Sequence, residues 1–476
     1  MSRLVLNSIW NKNKRRTLVV SLLAGILCAV AAWRYVHPRI QTATWRQVEA
    51  VVPNQLLETD VRDYPAEGRL NDAYLAVQPF DTKEMSNVTG SHWAEGQTKW
   101  MRYADTIWND GRFLKILKVL DSGPIHLLPP ELRAQGQAHV ALRDPNELQS
   151  KFKLIAKGLS DSVSLYRENA DYIQARFCLN ALIRLDERTW TLHGNILQFY
   201  GAASIDSLTS RTIENFARDP LTPVGDCSDL LRTFKAPPLI DTLLAQCIRT
   251  EFQQVILPML PDPFKDFTDL RQSQDDISQQ ADPTSLAFKT TYDAVATSTI
   301  LGRIYEIEMA NALRPLSQFN DAAERIERKA GVGLPSRPPL EELSQANRQW
   351  EFLKYRIATY NTKNFYGRLM ISLTHDDRNL VDRSDYCRAM RNAVRILLAT
   401  RIYRSSHGGS LPKDEHELVP YLGVWPTDPF DGRPFRYSHF HNVAYSIGRN
   451  LKDDGGILTN AGFESPDIGV QLTLAR

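Results

Sequence analysis

The chain is poor in cysteine. It has five in 476 residues, and no two stand in a C-x-x-C spacing, which argues against a zinc ribbon or a thioredoxin-type redox site. It also lacks G-x-S-x-G, H-E-x-x-H and a phosphate-binding glycine loop. The local signatures of α/β-hydrolase nucleophiles, zinc proteases and nucleotide-binding folds are therefore missing. No internal repeat and no low-complexity run is present. Net charge is small, +2 over the whole chain. Five basic residues and no acid fall before position 17, and 17–33 is uncharged. That leaves 52 of the 57 basic residues against all 55 acidic ones, or −3, for 34–476. A near-neutral body excludes phosphate-backbone binding as the main task, so no nucleic-acid partner is expected.

What is present is ordinary globular composition, 43% hydrophobic and 24% charged, over a length that implies two or three domains. The sharpest local signal is N-terminal. "NKNKRR" precedes "TLVVSLLAGILCAVAAW", Thr17 to Trp33, which as a helix spans roughly 25 Å. Trp33 and Tyr35 are placed for the membrane interface. The preceding basic cluster keeps the N-terminus in the cytoplasm and sends the rest of the chain across. A single-pass protein of a bacterial cytoplasmic (inner) membrane is expected, with residues 1–16 as cytoplasmic tail. Residues 17–34 would contact the lipid bilayer as a signal anchor, and the body would lie outside the cytoplasm. A cleaved signal peptide is the rival reading, because Ala29-Val30-Ala31 has the small-x-small form. Cys28 is read as a buried helix residue, since Leu27 is too bulky just before a lipidation site. Cys178, Cys227, Cys247 and Cys387 allow three disulfide pairings in an oxidising compartment, with Cys227–Cys247 the best local pair and buried thiols the alternative.

The region 35–384 reads as an α-helical extracytoplasmic body. "PLIDTLLAQCIRTEFQQVI" places Leu239, Leu243, Cys247, Phe252 and Val255 at helical spacing. "PLEELSQANRQWEFLKYRI" places Leu340, Leu343, Ala346, Trp350, Leu353 and Ile357 likewise. "YRENADYIQARFCLNALIRL" and "TTYDAVATSTILGRIYEIEMANAL" are further helical stretches. The polar segment 260–285 and the Gly/Pro-rich 329–339 read as connections. Trp93, Trp100, Tyr103 and Trp108 form an aromatic cluster best read as core. "DEHE", Asp414 to Glu417, looks like a helix start after Pro412. His439 and His441 would share a face on a strand, but no third metal ligand is evident.

The last ninety residues have a more specific order. "DYCRAMRNAVRILLATRIYRSSHGG" reads as a long helix ended by Gly408 and Gly409, with Met390, Val394 and Leu397 on its apolar stripe. Arg388, Arg391 and Arg395 form a basic stripe, expected to be solvated. "SLPKDEHELVPYL" reads as a short helix after a loop. A Pro/Gly turn, "WPTDPFDGRPFRY", and strand-like "FRYSHF" and "NVAYSI" follow. The glycine-rich "YSIGRNLKDDGG" and "SPDIGVQLTL" close the chain.

This order resembles the globular head of the major pseudopilins of type II secretion systems. The resemblance rests on the helix end "YRSSHGGSLP", on Asp428, Pro429, Gly432, Pro434 and Tyr437, on Ser446, Gly448, Gly455 and Gly456, and on Pro466 to Ile468. It covers about 385–476, a fifth of the chain. It implies a small α+β domain, a long helix with a short antiparallel sheet, at 385–476. It also implies a calcium ion held by Ser446, Asn450, Asp454 and Asp467 with backbone carbonyls, a donor set suited to that cation. Asn450 stands where the family has Asp, and Leu451 where it has Gly. A hydrogen-bonded loop without metal is therefore the alternative. The N-terminus departs from the prepilin pattern, with Val20 in place of the family's glutamate. The whole chain is similar to membrane-anchored bacterial proteins, of the kind found in planctomycetes, that join anchor, helical body and such a head. No activity comes with that likeness.

The expected fold is thus mainly α: N-terminal membrane helix, α-helical body and small α+β head. The expected function is binding or scaffolding in the envelope, with an envelope or secretion-system protein as partner. The alternative is an envelope hydrolase whose site is assembled from scattered residues of the body.

Overall fold

A computed structural model describes residues 43–57, 145–190, 196–235, 240–261, 292–312, 314–318, 378–459 and 465–474, with isolated positions between them. The anchor at 17–34, the aromatic cluster around Trp93 to Trp108, the stretch 339–357 and most of the connection 260–285 lie outside the described residues. No helix among the described residues is long and apolar enough to cross a membrane. The chain divides into two compact units.

The described part of the first unit is small. Thr44 opens the helix Trp45–Glu49 with a capping box to Gln47. Tyr292 donates its hydroxyl proton to the Leu260 carbonyl. Beyond it begins α6 (Ala294–Asn311), whose residues up to Arg303 belong to this unit. There the Asn364 amide donates to Thr297 Oγ1 at 3.0 Å.

The second unit comprises Asn54–Val255, Ile304–Lys329 and Asp376–Arg476. Its first part is a run of helices: α1 (Pro145–Glu168), α2 (Tyr172–Thr189), α3 (Ile196–Arg218), α4 (Val224–Thr233) and α5 (Ile240–Glu251). The stretch read as one helix from Tyr166 to Leu185 is two. The break falls at Asn169-Ala170-Asp171, where Ala170 takes φ 58°. Asp171 then caps α2 by accepting from the Gln174 amide at 3.1 Å. α1, α2 and α3 pack on one another. Phe152, Leu179, Leu182, Phe199, Ile213 and Phe216 are buried there. Burial of each such side chain stabilises by about 1.5–3 kcal/mol. α5 runs into one turn of π-helix, Phe252–Ile256. The residues expected inward on this segment, Leu243, Cys247 and Phe252, are buried.

The second part begins with α7 (Arg378–Ser406), about 43 Å long. It packs against α3, α4 and α5 and also against the C-terminal sheet. It is therefore buried nearly all round until its last turn, unlike a surface helix with one apolar stripe. The boundary expected between 384 and 385 falls within it. Gly408 (φ 62°) and Gly409 (φ 85°) end it, and the Gly409 amide bonds the Arg404 carbonyl at 2.8 Å. A 3₁₀ turn, Glu415–Glu417, and the short α8 (Val419–Leu422) follow. The sheet is three-stranded and antiparallel: β1 (Arg436–Ser438), β2 (Val443–Ser446) and β3 (Ile468–Gln471), with β2 central. Register pairs Ser438 with Val443 and Ser446 with Ile468. β3 alternates buried and half-buried residues, and β2 is buried throughout. The described chain is thus mostly helical, with this small sheet at its C-terminal end. A separate two-residue parallel pairing joins Ile125–His126 to Leu192–His193.

Candidate functional site

Two polar constellations stand out, one in the C-terminal loop region and one between the long helices. The first centres on Asp428, whose side chain is fully buried. The "DPFDGRP" turn closes with the Asp428 amide on the Arg433 carbonyl at 2.7 Å and the Gly432 amide on the Asp428 carbonyl at 2.9 Å. Oδ1 of Asp428 accepts from the Phe430 amide (3.0 Å) and the Ser446 hydroxyl (2.7 Å). Oδ2 accepts from the Ile447 amide (3.1 Å) and from Arg436 (2.5 Å). Arg436 also reaches Asp431 at 2.6 Å and Asp453 at 3.5 Å. Burial pushes the Asp428 carboxyl up, opposed by the hydrogen bonds from Phe430, Ser446 and Ile447.

The four residues expected around calcium are divided between separate tasks. The Ser446 hydroxyl is turned to Asp428. Asn450 donates to Asp454 Oδ2 at 2.7 Å and accepts from the Lys452 amide at 3.0 Å. Asp467 is fully buried and accepts from backbone: Gly456 at 2.8 Å and Ile457 at 3.1 Å on Oδ2, and Asp454 at 3.4 Å on Oδ1. So Asp454 lies next to both Asn450 and Asp467, but Ser446 does not join them. The described residues contain no group of three or more Asp, Glu, His or Cys side chains placed to hold a metal. The Asp467 oxygens that calcium would need face amide protons instead. In this arrangement Ser446, Asn450 and Asp467 are engaged in the loop's own hydrogen bonds, which hold its conformation. Leu451, where the pseudopilin pattern has Gly, takes φ 55°. His439 and His441 are in the exposed turn between β1 and β2, on either side of Phe440, and so do not form a strand face.

The second constellation is the less expected. Asp186 near the end of α2, Asp206 in the middle of α3 and Arg391 in α7 meet with no solvent exposure. Arg391 Nη2 bonds Asp186 Oδ2, and Nε bonds Asp206 Oδ1. Nη1 donates to the Lys235 carbonyl at 2.7 Å, and the guanidinium lies 4.4 Å from the centre of the Phe234 ring. The expectation of a solvated stripe therefore fails at its middle member. Arg388 and Arg395 are half-buried, and Arg391 is sealed between helices. The other oxygens, Asp186 Oδ1 and Asp206 Oδ2, and the Trp190 indole N–H lie buried beside one another without a completed hydrogen bond, although the indole acts on both carboxyls. Burial pushes both carboxyls up, Asp186 well above the usual range, against the pull of Arg391.

Cys387, one turn before Arg391, is part of the same wall. Its thiol is 3.6 Å from the Ala203 carbonyl, and burial with Asp206 nearby pushes it well up. A thiol held this way is a poor nucleophile. Cys178, Cys227, Cys247 and Cys387 are all buried thiols, and no disulfide joins them. Of the second constellation only Arg391 was visible beforehand, as one of three arginines on a helix. Nothing in the sequence near Asp186 or Asp206 marks them: Asp186 stands in an ordinary charged run with Glu187 and Arg188, and Asp206 sits singly in an otherwise apolar and small-residue stretch.

Compared with family models, curated proteins and solved structures, the chain matches none.

Proposed function

We propose that the protein works by binding, as a scaffold of the bacterial envelope. Its anchor is residues 17–34, its helical body lies outside the cytoplasm, and its pseudopilin-like C-terminal region presents the contact surface. The partner class is a component of secretion or pilus-like machinery. The observation that carries the reading is the enclosure of Asp186, Asp206 and Arg391. Asp186 and Asp206 are converging carboxylates of the kind a hydrolase could use, yet they are wholly buried and tied to an arginine, and a second group, Asp382, Asp385 and Asp428, is likewise buried. Such a set holds helices in register and has no surface to offer a substrate. In the C-terminal region the acids are likewise occupied, by Arg436 and by backbone amides. Two large apolar side chains there face outward among polar ones: Phe440 at the hairpin tip is 86% exposed and Val424 is 80% exposed. Exposed aromatics are common anchors of protein contacts.

The test is photo-cross-linking of the full-length chain in its native membrane from positions 440 and 424. Capture of one defined envelope component, lost on Phe440→Ser, supports the scaffold. Labelling restricted to abundant unrelated proteins rejects it.

A further inference from the structure

The charge count at the α2–α3–α7 junction does not balance. Two carboxylates and one guanidinium, all with zero exposure, leave one negative charge uncompensated if every group is ionised. An uncompensated charge in a dry core is expensive, and the group usually neutralises instead. The geometry shows where a neutralising proton fits. Each carboxyl spends one oxygen on Arg391, and the second oxygens, Asp186 Oδ1 and Asp206 Oδ2, complete no hydrogen bond, with only the neutral donors Trp190 and, for Asp206, Cys387 acting on the pair. We propose that Asp186 and Asp206 share one bound proton at neutral pH, making the junction a clamp on α7 that weakens as pH rises.

The other titratable groups acting on the clamp are few. Glu187 on α2 adds negative charge; burial pushes its carboxyl up, against Arg391 first and then Arg188, Lys235 and Arg184. Cys387 on α7 stays a thiol, and Arg395, also on α7, is half-buried and destabilised by burial and by Arg391. None of these supplies a second buried cation to balance the two acids. The raised position of both carboxyls has the same origin, burial outweighing the pull of Arg391.

The sign follows from linkage. A carboxyl raised in the folded state binds a proton that the unfolded chain has already released. Its stabilising effect is complete below the ordinary carboxyl range and is lost as pH rises toward the folded value. Across that window the ratio of folded to unfolded protein falls tenfold per pH unit for one proton.

The experiment uses the full-length chain. Infrared spectroscopy in D₂O at neutral pH should show a protonated-carboxyl C=O band that is lost or displaced in Asp186→Asn or Asp206→Asn but kept in Asp385→Asn. Denaturation midpoints across the neutral and alkaline range should fall more steeply for wild type than for Asp186→Asn, which replaces the acid by a neutral isostere. A wild-type spectrum without that band overturns the proposal, as does an identical pH slope in wild type and Asp186→Asn. If Asp186→Asn does not fold, Asp206→Asn takes its place in both the slope and the band assignment, and a band that persists in it but is lost in Asp385→Asn belongs to Asp385 and overturns the proposal.

Discussion

Arg449, in the glycine-rich C-terminal loop, reaches back to Asp382 in the second turn of α7, with Nε 3.2 Å from Oδ2. Asp382 is nearly fully buried, so the arginine both fixes the loop and covers an acid. Arg449→Ala is expected to destabilise by about 1–3 kcal/mol, since it leaves the carboxylate buried without this cation. Asp382→Asn should be milder. Urea midpoints of the two variants test the order, and equal losses would show that the acid needs no cover.

The loop should be indifferent to calcium. Asp467 points both oxygens at backbone amides, and Ser446 is taken by Asp428. Thermal midpoints of the full-length chain in excess calcium and in chelator are expected to coincide. Asp467→Asn can keep its oxygen on the amides of Gly456 and Ile457 but turns a donor toward the Asp454 amide, and with the lost charge should lower stability by about 1–3 kcal/mol in both conditions. A calcium-dependent rise, abolished by Asp467→Asn, would restore the metal.

Backbone handedness gives a third set of expectations. Ala170 is exposed at φ 58° between α1 and α2. The left-handed region disfavours a residue with a Cβ by roughly 1–2 kcal/mol, partly offset by the entropy of glycine. Ala170→Gly should stabilise by about 0.5–1 kcal/mol. Gly448, at φ 66°, is the opposite case, because a Cβ there would lie 2.7 Å from the Pro466 carbonyl oxygen. Gly448→Ala should destabilise by about 2–3 kcal/mol. Chemical denaturation of both variants checks the signs.

Asp385 offers a pH prediction separate from the clamp. It is fully buried on α7 and accepts from the Leu316 amide at 3.1 Å. Burial, reinforced by Asp382 and Asp428, pushes its carboxyl well up. The favourable contribution is complete below the ordinary carboxyl range and declines as pH rises. Asp385→Asn keeps an amide oxygen for Leu316 and removes the charge. Its stability should therefore fall less than that of wild type as pH rises above the ordinary carboxyl range, by up to tenfold less in the folding ratio per pH unit. An unchanged slope in the denaturation series would contradict this.

The C-terminal order was legible because its signals are local. Gly408 and Gly409 stop α7, "FRYSHF" and "NVAYSI" hold β1 and β2, and each can be seen within ten residues. The break at Ala170 was hidden because apolar periodicity runs through it on both sides. Arg391 was misread for a different reason. Its partners lie 205 and 185 residues upstream. A helix-face reading sees three arginines in a row and cannot see what stands opposite. The calcium expectation rested on the likeness to the pseudopilin loop at four positions, which carries no information on side-chain direction: here Ser446 faces Asp428 and Asp467 faces backbone amides.

The Arg391 junction also bears on the order in which the chain is made. Asp186 and Asp206 leave the ribosome well before their cation. At about 5–20 residues per second, the 205 residues between Asp186 and Arg391 take roughly 10–40 s to synthesise. For that interval α1, α2 and α3 can pack through their apolar faces, but the two acids lack the cation that α7 brings. A nascent chain stalled before α7 is thus expected to leave those acids, and the surface that α7 covers, open to water.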